Sequence, residues 1–120
     1  MCLNELEELL IQKFLEDDGI EIVRRKIDFN LVNVSDRELT GVGFLTQLLS
    51  CDELKISATT NSFKWGKCGA TLNGEGSMGI ETGYLIYIEK GYIDAIEGYT
   101  YGEEEWPERI TRIEMYNLDL

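Results

Sequence analysis

Between Leu3 and Leu15 the apolar residues Leu3, Leu6, Leu10 and Phe14, flanked by Ile11 and Leu15, recur at the interval that lines one side of a helix. The spacing predicts an amphipathic helix. Asn4 and Glu7 stand three apart at its start, as in a capping box, where the Asn side chain accepts from a helical N–H and the Glu accepts from the cap's own. Gly19 supplies a natural stop. Glu5, Glu7 and Glu8 sit at the positive end of the helix dipole and stabilise it, whereas Glu16, Asp17 and Asp18 crowd the negative end, at a cost of ~0.3–1 kcal/mol each. Arg24, Arg25 and Lys26 follow closely enough to neutralise them.

Beyond the helix the period falls to two. Ile27, Phe29 and Leu31 alternate with Lys26, Asp28 and Asn30, and "VSDREL" (Val34 to Leu39) reads as the turn into a second apolar segment, "TGVGFLTQLL", so the two segments are expected to pair as a hairpin. Gly41 and Gly43 in the second segment suggest a bulge or close backbone packing. Leu54, Ile56 and Ala58 fit either a short strand or the flank of a loop, because the polar run from Ser57 to Ser62 follows at once. Cys68, Ala70 and Leu72 alternate again. The clearest hairpin joins Gly83 to Ile88 with Tyr92 to Tyr101 through Glu89-Lys90-Gly91, where Gly91 supplies the positive φ of a tight turn or bulge. Pro107, the one proline, breaks the loop that follows; Ile113 and Met115 then face the core as a final strand, with a short helix as the alternative. The expected architecture is α+β: an N-terminal amphipathic helix packed on a mostly antiparallel sheet of about five or six strands, with residues 1–120 as one domain.

Composition changes this picture mainly through charge. The net charge of −12 is unevenly placed: Met1 to Glu21 carries seven acids and one base, Ile22 to Ala70 five acids and seven bases, and Thr71 to Leu120 eleven acids and three bases. Phosphate backbones require Lys and Arg to displace their counterions, so direct nucleic-acid binding is not expected. A negative field instead favours basic partners and speeds encounter with them, although it also serves solubility. The apolar runs are only a few residues long, as in "YLIYI", and the acidic start "MCLNELEELL" lacks a secretory n-region. A cytoplasmic protein without a membrane partner is the expectation. Cys2, Cys51 and Cys68 are widely spaced and read as thiols, Cys68 as a small buried apolar group. Histidine is absent, which removes Cys/His and Ser/His catalysis and most zinc sites.

Two motifs invite chemistry. "GEGSMG" (Gly74 to Gly79) matches G-x-G-x-x-G, but a dinucleotide site needs a helix after it, whereas "IETGYLIYIEKG" reads as strand and Glu75 would repel phosphate; no cofactor is expected. Asp94, Glu97 and Glu103 to Glu105 lack calcium-loop spacing and any positioned base, so neither a metal site nor an enzyme follows from them. The aromatic residues among these acids point elsewhere. Glu97, Tyr99 and Tyr101 share one face of a strand, and Trp106 follows within the same short stretch. Tyr and Trp bring large rigid contact area with a polar handle, and acidic neighbours select a basic partner. Trp106 also fits packing at a core edge.

The segment "GYLIYIEKGYIDAIEGYTYGEEEWPE", and within it Glu97, Gly98, Tyr99, Tyr101, Trp106 and Pro107, resembles small bacterial immunity proteins of contact-dependent growth inhibition and related polymorphic toxin systems. "GVGFLT" (Gly41 to Thr46) shares the resemblance weakly. The resemblance implies a protein without catalysis that neutralises a cognate toxin domain, often a basic nuclease, by stoichiometric occlusion. It implies partner-binding roles for Asp94, Glu97, Tyr99, Tyr101, Glu103, Glu104, Glu105 and Trp106. The other functional classes that fit are an acidic interaction or regulatory module without a toxin partner, and an enzyme or small-molecule binder.

Overall fold

The computed structural model describes residues 1–17, 26–56, 61–102 and 104–118. Helix α1 (Glu5–Leu15) opens on the expected capping box: Asn4 Oδ1 accepts from the Glu7 N–H at 2.9 Å, and Glu7 Oε1 accepts from the Asn4 N–H at 2.8 Å. Leu6, Leu10, Ile11 and Phe14 are buried along its inner side. Glu16 caps its other end; Asp18, Gly19, Arg24 and Arg25 lie outside the described residues. Asp17 accepts from Trp65 Nε1 at 2.7 Å and lies 3.4 Å from Lys67 Nζ, so the strands supply opposite charge and a donor at the negative end of the dipole.

Seven strands form the sheet: β1 (Val34–Leu39), β2 (Gly43–Leu48), β3 (Phe63–Trp65), β4 (Cys68–Gly74), β5 (Ser77–Glu89), β6 (Tyr92–Thr100) and β7 (Ile110–Asn117). Their order is β1-β2-β6-β5-β4-β7, with β3 paired to the far end of β5, and each described pair is antiparallel. The fold is therefore α+β, helix on sheet, with β3 raising the count above the expected five or six. Alternate residues of the central strands, Phe44, Leu72, Tyr84, Ile86 and Ile96 among them, meet the helix side chains in one core. No helix among the described residues is long and apolar enough to cross a membrane.

The first hairpin differs from expectation. Val34–Leu39, expected as a turn, is strand β1 itself, and the chain reverses at Thr40 to Val42, where Gly41 adopts φ +87°. Phe29–Leu31, expected as part of the first strand, is a single 3-10 turn held by the Asp28 carboxylate, which accepts from the Asn30 N–H at 3.1 Å. An Asx cap of this kind offers the backbone an alternative to the ladder. Gly43 makes the close approach expected of it, since a Cβ there would lie 1.9 Å from the Gly98 carbonyl. Asp52–Leu54 is another short 3-10 turn, and Lys55 bridges to Tyr92; Ala58 lies outside the described residues. The β5–β6 hairpin closes as the sequence indicates, with Lys90 at φ 53° and Gly91 at φ 89°, the two positive values of a type I′ turn. "GEGSMG" spans the β4–β5 hairpin, so no helix follows it, and the final segment is a strand.

One polar feature ties helix to sheet. Glu7 is fully buried, and Arg37, which points inward from β1, donates to it from Nε at 3.0 Å and from Nη2, while Thr46 Oγ1 donates from β2. Arg37 Nη2 also donates to the Cys2 carbonyl at 3.1 Å. Several donors on one carboxylate offset the large desolvation cost of burying its charge.

Candidate functional site

Alternation along the strands sends every second side chain to the face opposite α1, and among the described residues no helix covers that face. Leu45, Leu85, Tyr87, Glu97, Tyr99 and Tyr116 stand on it half-buried, with Glu81 and Tyr101 exposed. The tyrosine rings lie on a floor made by glycines of neighbouring strands. A Cβ on Gly83 would come within 2.8 Å of both the Tyr99 ring and the Tyr101 hydroxyl, and a Cβ on Gly69 within 2.8 Å of the Tyr116 ring. Only a residue without a side chain admits rings so close to the backbone. Tyr99 and Tyr101 also meet edge to face at 5.8 Å, an arrangement favoured by the ring quadrupoles.

Two tyrosine hydroxyls on this face, those of Tyr87 and Tyr116, orient carboxylates. Tyr87 donates to Glu97 at 2.6 Å; Tyr116 donates to Glu81 at 2.9 Å, and Thr71 donates to the same carboxylate at 2.8 Å. The cost of removing a proton beside a carboxylate appears in the tyrosines. Hydrogen bonding to Glu97, followed by burial, pushes Tyr87 up to about 12, and burial with the Glu81 hydrogen bond takes Tyr116 up to about 12. Cations on this face are few: Lys64 Nζ lies 5.6 Å from the Tyr87 ring centre, and Arg112 pairs with Glu114 at 2.7 Å.

The chain leaves β6 at Thr100, whose hydroxyl donates to the Glu104 carbonyl at 2.8 Å, and turns around the end of the sheet. The Trp106 N–H then donates to the Gly41 carbonyl at 2.9 Å, and the Trp106 ring lands on the helix side. There it packs edge to face on Phe44 at 5.1 Å and on Tyr84 at 6.3 Å. Trp106 therefore does not join Tyr99 and Tyr101 in one cluster. Glu104 and Glu105, between them, form an acidic rim with tyrosines on the outer side and the indole on the inner. Beside the indole opens a groove of about 570 Å³ walled by Leu6, Leu39, Pro107, Ile110 and Ile113. Glu5, Glu105 and Glu108 border it, and among the described residues none of these three has a cationic partner.

Of the remaining residues singled out by sequence, Glu104 is exposed on the rim and Glu103 lies outside the described residues. Asp94 stands apart. It is the extra residue of a bulge near the other end of β6, about 23 Å along the strand from Tyr101 at the usual rise, so it does not reach the rim. Sequence reasoning missed Glu81, Tyr87 and Tyr116, which reach this face from β5 and β7. Alternation of Glu81, Tyr87 and Glu89 against the buried Ile80, Ile86 and Ile88 signals the first two; nothing local ties Tyr116 to Glu81, 35 residues away.

Among the described residues no group of three or more His, Cys, Asp or Glu could hold a metal ion. Burial pushes the Cys68 thiol up to about 11, which leaves it un-ionised and unreactive near neutrality. Comparison with family models, with curated proteins and with solved structures finds no match.

Proposed function

We propose that the protein is an immunity-type inhibitor that binds a basic toxin domain, of nuclease type, and neutralises it by occupying its surface in a one-to-one complex. The observation that carries this reading is the acidic rim with aromatic side chains on either side: Tyr99 and Tyr101 outside, Trp106 and its groove inside. Carboxylates without cationic partners among the described residues offer a basic surface what a phosphate backbone would offer it. Rigid rings that are already packed lose little entropy on binding and serve as anchors. Catalysis has no part in this mechanism. Charge raises the association rate, and the aromatic anchors set the residence time.

The test is growth rescue. A candidate basic toxin domain is induced in cells with and without this protein, and survival is counted. Survival only in its presence supports the proposal; equal killing in both arms removes that pairing and favours an interaction module with a different basic partner. With a rescued pair in hand, Glu104→Lys with Glu105→Lys is expected to slow association, and Tyr101→Ala to speed dissociation. Unchanged kinetics in both variants would place the interface elsewhere.

A further inference from the structure

The two edges of the sheet are not equivalent. At β1 the Val34 N–H donates to the Met1 carbonyl at 2.7 Å, and a register shift between Val34 and Asp36 bends the strand, so the N-terminal segment and a bulge blunt this edge. β7 is longer, eight residues, and no described residue pairs with its outer side. The Leu118 N–H donates to the Lys67 carbonyl at 2.9 Å, directly continuing the β4–β7 register. Because the backbone alternates, Arg112, Glu114 and Tyr116 also turn their hydrogen-bonding groups toward β4, and Ile113, Met115 and Asn117 turn theirs outward.

An unpaired edge with outward donors and acceptors is a template for another strand, and the side chains of β7 select which one. We propose that β7 pairs antiparallel with β7 of a second copy about a two-fold axis at Ile113. Ile113 faces Ile113 of the second copy across the outward hydrogen bonds, and Met115 faces Thr111 on the helix side of the sheet. On the open side, Arg112 comes opposite Glu114 of the second copy, twice by symmetry. Those pairs occupy non-hydrogen-bonded positions, where side chains lie closest. Within one chain Arg112 and Glu114 already meet at 2.7 Å, and both are more than half exposed, so the dimer joins two such pairs into a ring of four alternating charges. Centring the axis on Met115 instead sets Glu114 against Tyr116 and Ile113 against Asn117, which matches neither charge nor polarity. Centring it on Glu114 sets that carboxylate against its own copy at a non-hydrogen-bonded position, where like charges lie closest and repel. The bulge at Thr111, which has no opposite residue on β4, limits the ladder at that end.

The joined sheets would present their tyrosine faces as one surface, with Tyr116 of each copy about 10 Å along the strand from the axis. Each chain carries a net charge of −12, so association works against repulsion and is strengthened by salt. This is opposite to the salt dependence expected for a basic partner, which keeps the two proposals separable.

The test is sedimentation equilibrium of the full chain over a concentration series to about 1 mM, in low salt and in about 0.5 M NaCl, where screening is nearly complete. A monomer–dimer equilibrium tighter at high salt is expected. In low salt, Arg112→Glu and Glu114→Arg should each weaken it about tenfold or more by setting like charges opposite one another, while an equimolar mixture of the two variants recovers a heterodimer. Ile113→Pro removes an outward N–H, spares the β4 ladder, and should give a monomer with an unchanged circular dichroism spectrum. A wild-type monomer throughout would overturn the proposal. So would a dimer that both single charge variants leave intact, since the register would then be wrong. Growth rescue by a monomeric variant would leave the inhibitor reading standing by itself.

Discussion

On the face of the sheet that α1 covers, each buried side-chain polar group among the described residues has a partner inside the protein. Glu7 is held by Arg37, Thr46 and its own helix cap, and the Thr82 hydroxyl lies 2.7 Å from both the Ala70 carbonyl and the Tyr84 hydroxyl. On the other face two tyrosine hydroxyls are also satisfied, but by carboxylates at or near the surface: Glu97 for Tyr87, Glu81 for Tyr116. The same strands supply both faces through alternate residues. The covered face turns its polar groups into a lock between helix and sheet, whereas the open face uses them to hold charge in a fixed position toward solvent. Substitutions should therefore separate, with stability lost on one side and recognition on the other.

The largest expected effect lies on the covered face. Phe14→Ala removes a fully buried ring that meets Trp65 edge to face at 5.4 Å, and should cost ~3–5 kcal/mol in urea unfolding. A loss below about 1 kcal/mol would mean the helix is not integral to the core. Glu7→Ala should cost about 3 kcal/mol, because Arg37 and Thr46 lose their acceptor while the capping box is broken. Since Arg37 is still about a quarter exposed, water can recover part of its hydration, and the loss should stay below that for Phe14.

Tyr101→Ala sharpens the contrast from the other side. With more than half of its surface exposed, it should change stability by no more than ~0.5 kcal/mol, yet raise the dissociation rate from a confirmed partner about tenfold. A large stability loss with unchanged binding would reverse the roles assigned to the two faces.

The smallest effect is a pH dependence. Tyr87 ionises near 10 when unperturbed and near 12 in the fold, as does Tyr116. Below about pH 10 both states keep the proton and the contribution is complete. Between about 10 and 12 the unfolded chain gives up protons that the native chain retains, so stability falls as pH rises through this window. Absorbance at 295 nm should show late-titrating tyrosines, and Tyr87→Phe should remove one of them. Ionisation of all tyrosines near 10 in the folded protein would contradict the carboxylate pairing.

How far the sequence could be read depended on whether an element's partners were local. The capping box and the Lys90-Gly91 turn involve residues within a few positions of one another, and both form as their chemistry indicates. Strand β1 escaped notice because it is an edge: only Val34 of its six residues is buried, and the inward Arg37 breaks the apolar alternation to reach Glu7. Glu7 carried a visible signal, standing four residues after Leu3 and three before Leu10 on the buried side of the helix, but its partners are 30 and 39 residues away. The site divides similarly. Strand alternation alone sets Glu97, Tyr99 and Tyr101 on one face. Trp106 is only five residues beyond Tyr101, yet the intervening segment rounds the end of the sheet, and the indole reaches Phe44 and Tyr84 on the other side.

By itself, then, the sequence determined the helix and its cap, the β5–β6 hairpin, the strong negative charge, and the common face of Glu97, Tyr99 and Tyr101, because backbone geometry and periodicity act over a few residues. The tertiary structure alone decided that Glu7 would meet Arg37, that glycines of β4 and β5 would floor the tyrosines, and that Trp106 would face a groove away from them. Those outcomes depend on which strands become neighbours, and strand order is set by burial of the whole core, to which no short stretch of chain has access.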